Sequence, residues 1–332
     1  MPNVFICTNR EQDLYQKSMD LLKENGFNVS FLDVPDHGLG LKTPDNIIRQ
    51  LQQAHATMAA GEYYTPELFN QLPNLRVIAR LGVGFDRVDI QSATQNNVVV
   101  TITPNGNHEG VAEHAMALIM TLAKQIVTKD KQIRSGIWNT DKTNSLRGDT
   151  LGIIGLGRIG RSLALRALAM KMKVIATEPY PIEEFVRSNS LELVDIDTLL
   201  KRSDYVSVNS PFNEMTKGLI NKEKLSLMKK TAYLINTSRG GLINESDLIN
   251  ALKNNDIAGA GLDVFEIEPM IKDNPLIELN NVVLSPHMAG NDSVSIADTA
   301  IESAQSIIDL YHGLWPRGAV INNELEYQWS WL

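Results

Sequence analysis

Cysteine is almost missing from these 332 residues: Cys7 stands alone. One thiol excludes an intramolecular disulfide and any Cys-rich zinc or iron–sulfur site, and it fits a reducing compartment. Aromatic residues make up only 6% of the chain. No window approaches the roughly 18 consecutive apolar residues that cross a bilayer. Positive charge is the minority sign, with 31 Lys and Arg against 39 Asp and Glu. The resulting net charge of -8 is spread along the chain, which works against nucleic acid or anionic membrane as a partner. No basic leader or apolar cleavage region precedes the strand-like Val4-Phe5-Ile6, so a cytoplasmic location is expected.

What the chain does have is length and alternation. A chain of this size is usually too long for one simple unit, and 43% hydrophobic content is ordinary for a globular protein. Strand candidates run from Val4 to Cys7, Val29 to Leu32, Ala56 to Ala59, Val77 to Ala79 and Val98 to Ile102, with helical patterns such as Asp13 to Lys23 between them. One long helix is expected from Glu109 to about Ile133, where Ala112, Ala115, Met116, Ile119, Met120 and Ala123 recur at helical spacing. A second series follows, with strands at Leu151 to Ile154, Val174 to Thr177, Val206 to Asn209, Tyr233 to Asn236, Ala258 to Asp263 and Val282 to Ser285. A helix from about Ser293 to Tyr311 closes it. Two series of alternating strand and helix predict a two-domain α/β protein with parallel sheets.

Gly155-Leu156-Gly157-Arg158-Ile159-Gly160 matches G-x-G-x-x-G, directly after a strand candidate and before a helical face of Leu163, Ala164, Ala167 and Leu168. The first glycine permits a tight turn, the second lets a pyrophosphate approach the backbone, and the third lets helix pack on strand. The helix N-terminus then offers its amides to phosphate. Glu178 ends the next strand, where a carboxylate accepts from ribose hydroxyls and repels a 2′-phosphate, so NAD is expected rather than NADP.

Ligands of an open parallel sheet bind beyond the carboxyl ends of its strands. Arg239, Asp263 with Glu268 after it, and His287 all follow strand candidates there. Reduction of a 2-oxo acid needs a cation for the carboxylate, which a guanidinium fork supplies, and a proton donor near neutral pH, which histidine supplies. A neighbouring carboxylate orients the imidazole and favours its protonated form. His37, His55 and His312 have no special setting. His108 and His114 lack the i, i+4 spacing of a zinc pair and read as structural or peripheral, so no metal is expected.

Several strings together resemble the D-2-hydroxyacid dehydrogenase family, particularly its phosphoglycerate dehydrogenase-like members. They are Ala79-Arg80-Leu81-Gly82-Val83-Gly84-Phe85-Asp86-Arg87-Val88-Asp89, Thr103-Pro104-Asn105-Gly106-Asn107, Val111-Ala112-Glu113-His114, Gly155 to Gly160, Asn236-Thr237-Ser238-Arg239-Gly240-Gly241, Gly261 to Glu266, Glu268-Pro269 and Ser285-Pro286-His287. The resemblance implies two Rossmann-like or flavodoxin-like parallel-sheet domains. A nucleotide domain, 102–290, is inserted into a discontinuous substrate domain of 1–101 plus 291–332, and the two close over the substrate. It implies Arg239, Glu268 and His287 as the catalytic residues, and Arg80, Val83, Gly84 and Arg239 as substrate contacts. Cofactor contacts carried over are Gly155, Gly157, Arg158, Ile159, Gly160, Glu178, Asn209, Ser210, Pro211, Thr216, Thr237, Ser238, Asp263 and Gly290. A homodimer, with the helix after Glu109 near its interface, is implied as well.

Departures bear on the substrate. Phosphoglycerate dehydrogenases carry an arginine near the third strand, where this chain has Met58-Ala59-Ala60-Gly61-Glu62, and no regulatory domain follows Leu332. Hydroxypyruvate, glyoxylate or another small 2-oxo acid is therefore as well supported as the phosphorylated one. Asn209 stands where the family often has histidine, and Glu268 where formate dehydrogenases have glutamine, which argues against formate. An NADH-sensing corepressor-like binding protein on the same fold is the alternative.

Overall fold

A computed structural model describes residues 1–8, 11–32 and 45–331; His37 lies outside them. The chain forms two compact units, residues 1–108 with 290–332, and residues 109–289.

The first unit is a five-stranded parallel sheet of β1 (Asn3–Ile6), β2 (Asn28–Phe31), β3 (Ala56–Ala59), β4 (Val77–Arg80) and β5 (Val99–Thr101), in the order β2-β1-β3-β4-β5. Every residue of β3 and β4 is buried, as expected for central parallel strands covered on both faces. On one face Ala300, Ala304 and Ile307 of the helix Ser293–Tyr311 join Leu22, Val4, Ile6, Val77 and Val99 in a core. On the other, Ile47, Leu51 and Ala93 join Ile78 and Val100. The closing helix thus completes the unit that the first hundred residues began. Residues past the fifth strand also stay with it: Ile102 N–H donates to Ala319 O at 2.9 Å, and Asn105 Nδ2 to Glu302 Oε1 at 2.9 Å. That is why the division falls at 108/109 and not at 101/102.

The second unit has seven parallel strands: β6 (Thr150–Ile154), β7 (Lys173–Thr177), β8 (Glu192–Leu193), β9 (Tyr205–Val208), β10 (Tyr233–Asn236), β11 (Gly259–Leu262) and β12 (Val282–Leu284). Their order is β12-β11-β10-β9-β6-β7-β8. The direction of winding reverses at β6, which makes the crevice beyond β6 and β9 the place for a ligand. β8 was not anticipated. Two exposed edge residues carry no alternation to read. Elsewhere the strand candidates hold to within a residue or two.

The single helix expected from Glu109 to Ile133 is two helices, His108–Lys124 and Ile126–Arg134. Gln125 between them is left-handed, at φ 51° and ψ 36°. The reason is burial. Nine residues of the first helix are buried and none of the second. Past Ala123 no core contact holds the helix in phase, and the β-branched Ile126-Val127-Thr128 add little helix propensity. As expected, the small residues of the first helix allow a close neighbour: Ser162 Oγ and Arg166 Nη2 of helix Arg158–Ala169 donate to Glu109 and Glu113 at 2.8 and 2.9 Å. Among the described residues no helix is long and apolar enough to cross a membrane.

Candidate functional site

Strand register assembles this site. Across the second sheet, Thr177, Ile154, Val208, Asn236, Leu262 and Leu284 pair as one row, each the last residue of its strand. The next residues along the chain are therefore Glu178, Gly155, Asn209, Thr237, Asp263 and Ser285, all leaving the sheet at one edge. Five strand spacings of about 4.8 Å make this row about 24 Å long, enough for a dinucleotide to lie across it.

The glycine turn after β6 divides its labour as the motif requires. Gly155 sits at φ +96°, and a side chain there would meet the backbone of Asn209 and Ser210 at 2.9 Å. At Gly160 a Cβ would fall 2.1 Å from Gly155 O, so only glycine lets this helix start so near the strand. Gly157 has nothing within 4 Å of its missing Cβ: that side is open. Gly157 also caps the twelve-residue helix Arg158–Ala169 without a side-chain acceptor, which leaves first-turn amides, those of Ile159 and Gly160 among them, for an anion. Glu178 is fixed to the turn, accepting from Leu156 N–H at 2.8 Å and Tyr180 N–H at 3.1 Å.

Next along the row, two buried polar atoms have no hydrogen-bond partner, Asn209 Oδ1 and Thr237 Oγ1. Buried polar atoms are nearly always paired, so orphans on adjacent strand ends mark where a ligand's donors fit. Together with the open side of Gly157, they make these residues compatible with NAD. Ser210 Oγ faces Ile154 O at 3.4 Å, and Ser238 Oγ donates to Val208 O at 2.9 Å. Thr216 Oγ1 donates to Pro211 O at 2.7 Å, bracing that loop.

Arg239 follows β10 in an extended conformation, half-buried, with Nη1 donating to Ser238 O at 2.7 Å. Asn236 holds the turn from below, donating from Nδ2 to Arg239 O and accepting from Ser238 N–H. Gly240 is required beyond it, because a Cβ there would lie 2.0 Å from the carbonyl carbon of Phe265. The loop bearing Arg239 therefore lies against the loop leading to Glu268.

Glu268 and His287 meet. His287 Nδ1 is 2.7 Å from Glu268 Oε2, while Glu268 Oε1 accepts from Phe265 N–H at 3.1 Å. The histidine side chain is 42% exposed and its carboxylate partner 20%. With Nδ1 engaged, Nε2 has no protein partner among the described residues. Asp263 is fully buried and anchors the loop that carries the histidine. Its carbonyl accepts from His287 N–H, Oδ1 from Met288 N–H and Oδ2 from Ala289 N–H, at 2.8, 3.0 and 2.9 Å. His287 is held at φ 52°, a left-handed conformation that costs a non-glycine residue energy.

Other expected residues belong to the first unit. Arg80 is buried at the end of β4, its Nε donating to Gly84 O at 3.0 Å across the Gly82-Val83-Gly84 turn. Gly290 lies there too, where a Cβ would crowd Asn107 Nδ2 at 2.9 Å. His114, expected to be structural or peripheral, has its Nε2 2.8 Å from Ser285 Oγ and 3.6 Å from Asp263 Oδ1. Its signal was weak, one histidine on a helix matching no ligand spacing. Among the described residues no group of three or more His, Cys, Asp or Glu side chains is arranged for a metal ion.

The chain is similar to known proteins. The family model described as D-isomer specific 2-hydroxyacid dehydrogenase, NAD binding domain, matches residues 116–289. A D-3-phosphoglycerate dehydrogenase of Archaeoglobus fulgidus is 35% identical over 312 residues, covering 93% of this chain but 58% of that protein. A glyoxylate reductase of Thermofilum pendens is 41% identical over 270 residues, covering 78% of each. Among solved structures, D-lactate dehydrogenase from Aquifex aeolicus, complexed with NAD and lactic acid, aligns over 96% of this chain and 98% of its own. Its TM-score is 0.82 at 28% identity.

Proposed function

Because this chain belongs to the D-isomer specific 2-hydroxyacid dehydrogenases, a family of NAD-dependent oxidoreductases, we propose that it interconverts a small 2-oxo acid and the matching D-2-hydroxy acid. The observation that carries this reading is the His287–Glu268 pair at 2.7 Å, on the same row of strand ends as Arg239 and the glycine turn. NAD, when bound, supplies or accepts the hydride. Gly155 to Gly160 with Arg158 and Ile159, Glu178, Asn209 to Pro211, Thr216, Thr237, Ser238 and Asp263 are assigned to holding it. Residues 109–289 are thus the nucleotide domain, and the first unit, with Arg80, Val83 and Gly84, is assigned to substrate.

Each side chain has a task that its chemistry suits. Arg239 grips the substrate carboxylate and polarises the adjacent carbonyl through a fork of N–H donors. Glu268 holds His287 through Nδ1, so Nε2 gives the proton in reduction and takes it back in oxidation.

Of the family's substrates, we propose an unphosphorylated one such as glyoxylate or hydroxypyruvate. The loop after β3 has no cation of its own, and the Arg87 guanidinium beside it is turned to the backbone, donating from Nη1 to Gly61 O at 2.8 Å. Glu62 of this loop is buried and accepts from Ala60 N–H at 2.9 Å. We also propose a homodimer. Ile126, Ile133, Ile137 and Trp138 lie within 13 residues and leave half or more of their surface exposed, an apolar stretch suited to a second copy. Sedimentation as a monomer at working concentration would remove that assignment.

The test is NADH oxidation with a panel of glyoxylate, hydroxypyruvate, pyruvate and 3-phosphohydroxypyruvate, repeated with NADPH. Turnover of an unphosphorylated acid is expected, with NADH preferred because Glu178 opposes a 2′-phosphate. In the reductive direction kcat/KM should fall as pH rises, because the reaction consumes a proton. Tight NADH binding with turnover of none would favour an NADH-sensing protein instead.

A further inference from the structure

We propose that His114 is a positioning residue for the His287 loop, acting through the Ser285 hydroxyl and the Asp263 carboxylate. The inference rests on the reading of His287 as the acid/base.

Ser285 has one hydroxyl proton, and its Oγ lies 2.6 Å from Asp263 Oδ1, a carboxylate oxygen that can only accept. Its proton is committed there. His114 Nε2, 2.8 Å from the same Oγ, must therefore be the donor, so the imidazole carries its proton on Nε2. The chain runs from His114 N–H to Ser285 O–H to Asp263. From Asp263 it continues to the backbone N–H groups of Met288 and Ala289, while the Asp263 carbonyl holds His287 N–H. Asp263 has no solvent exposure, so its charge depends wholly on these donors. Removing His114 frees the serine hydroxyl to turn away and loosens the anchor of three successive amides.

The helix is built to deliver this histidine. His114, Leu118 and Leu122 recur every four residues on one face of His108–Lys124. A Cβ on Gly261 would sit 3.0 Å from Leu118 Cβ and 3.2 Å from Leu122 Cδ1, so the bare glycine sets how near the helix lies to β11. Asp263 follows Gly261 by two residues and shares its side of the strand, while four helical residues rise about 6 Å against about 6.6 Å for two strand residues. Leu118 opposite Gly261 therefore puts His114 opposite Asp263.

Three variants test the chain: His114→Leu removes the donor, His114→Gln keeps an N–H at a similar reach, and Ser285→Ala cuts the relay from the other end. Readouts are kcat and KM with the best 2-oxo acid, NADH affinity by fluorescence, and backbone amide exchange of residues 287–289 in the whole protein. His114→Leu should lower kcat about three- to tenfold with KM nearly unchanged, and speed exchange at 287–289 by a similar factor. His114→Gln should restore most of both, and the His114→Leu, Ser285→Ala pair should be no worse than either alone. Equal behaviour of the Leu and Gln variants, unchanged exchange at 287–289, or additive losses would each overturn the proposal. If the wild-type protein turned over no 2-oxo acid, the functional reading would fall while the exchange pattern still decided this one. If His114→Leu folded poorly, Ser285→Ala would carry the same comparison.

Discussion

At the carboxyl edge of the first unit's sheet the polar side chains turn inward on one another. Glu62, Tyr64 and Arg80 are 1%, 1% and 8% exposed, and Cys7 is buried beside them. Burial pushes the Glu62 carboxyl up, opposed by the Arg80 guanidinium, and burial raises the Cys7 thiol and Tyr64 phenol as well. At the same edge of the second sheet the polar groups keep unspent valences: Asn209 Oδ1, Thr237 Oγ1, and the Nε2 of a histidine 42% exposed. Both sheets are parallel and wound on both faces. The difference is one of exposure and not of satisfaction, since Thr101 Oγ1, Thr103 Oγ1 and Asn107 Oδ1 of the first unit lack a hydrogen-bond partner as well: the first edge buries its titratable groups, and the second exposes one to a ligand.

The sharpest way to break that contrast is to remove the exposed proton carrier. His287→Gln should lower kcat by about 10²–10⁴, the usual cost of losing a general acid, with NADH affinity within a few-fold of wild type. Near-normal kcat, measured with chemistry rate-limiting, would mean another proton donor serves. The glycine turn gives a smaller, two-sided effect. Gly160→Ala drives a Cβ to 2.1 Å from Gly155 O, an overpacking that costs about 1–3 kcal/mol and lowers the second unit's melting temperature by about 5 °C. Gly157→Ala meets nothing within 4 Å, so melting should hold while NADH affinity falls about tenfold. Unchanged NADH affinity in Gly157→Ala would show that the open side of Gly157 is not the ligand's side.

Much of this was legible in the sequence because it is local. A glycine motif between an apolar strand and an amphipathic helix announces its own geometry, and apolar runs give the strand end at Asn236, and those at Leu262 and Leu284 to within one residue. Register turns that local information into a row, since parallel strands of similar length stop together. What escaped depends on distant partners. The break at Gln125 reflects where the core ends, which no residue near it encodes. His114 acquires neighbours only through Gly261, about 150 residues away, and neither looks notable alone. Glu62 reads as a surface carboxylate until the fold buries it beneath Arg80.

The smallest effect separates two histidines by what they serve. His55, in the first unit, accepts from Asn3 N–H through Nδ1 at 3.1 Å, a bond that needs an unprotonated nitrogen. Burial lowers its pKa below 6.5, helped by Arg76 and the chain's amino terminus. The unfolded chain therefore binds a proton more readily than the folded one between the depressed value and 6.5. Folding stability must rise with pH through that window and level off above it. Melting followed from pH 5 to pH 8 should show a gain of about 1 °C from this group, and His55→Asn, which keeps an acceptor but cannot titrate, should lack it. Turnover at saturating substrate should be alike in both proteins. His287 predicts the opposite division, since its removal lowers kcat. A His55→Asn protein whose melting kept the full pH dependence, or whose pH–rate profile moved, would remove the division between a histidine that serves stability, at the amino end of the first sheet, and one that serves turnover.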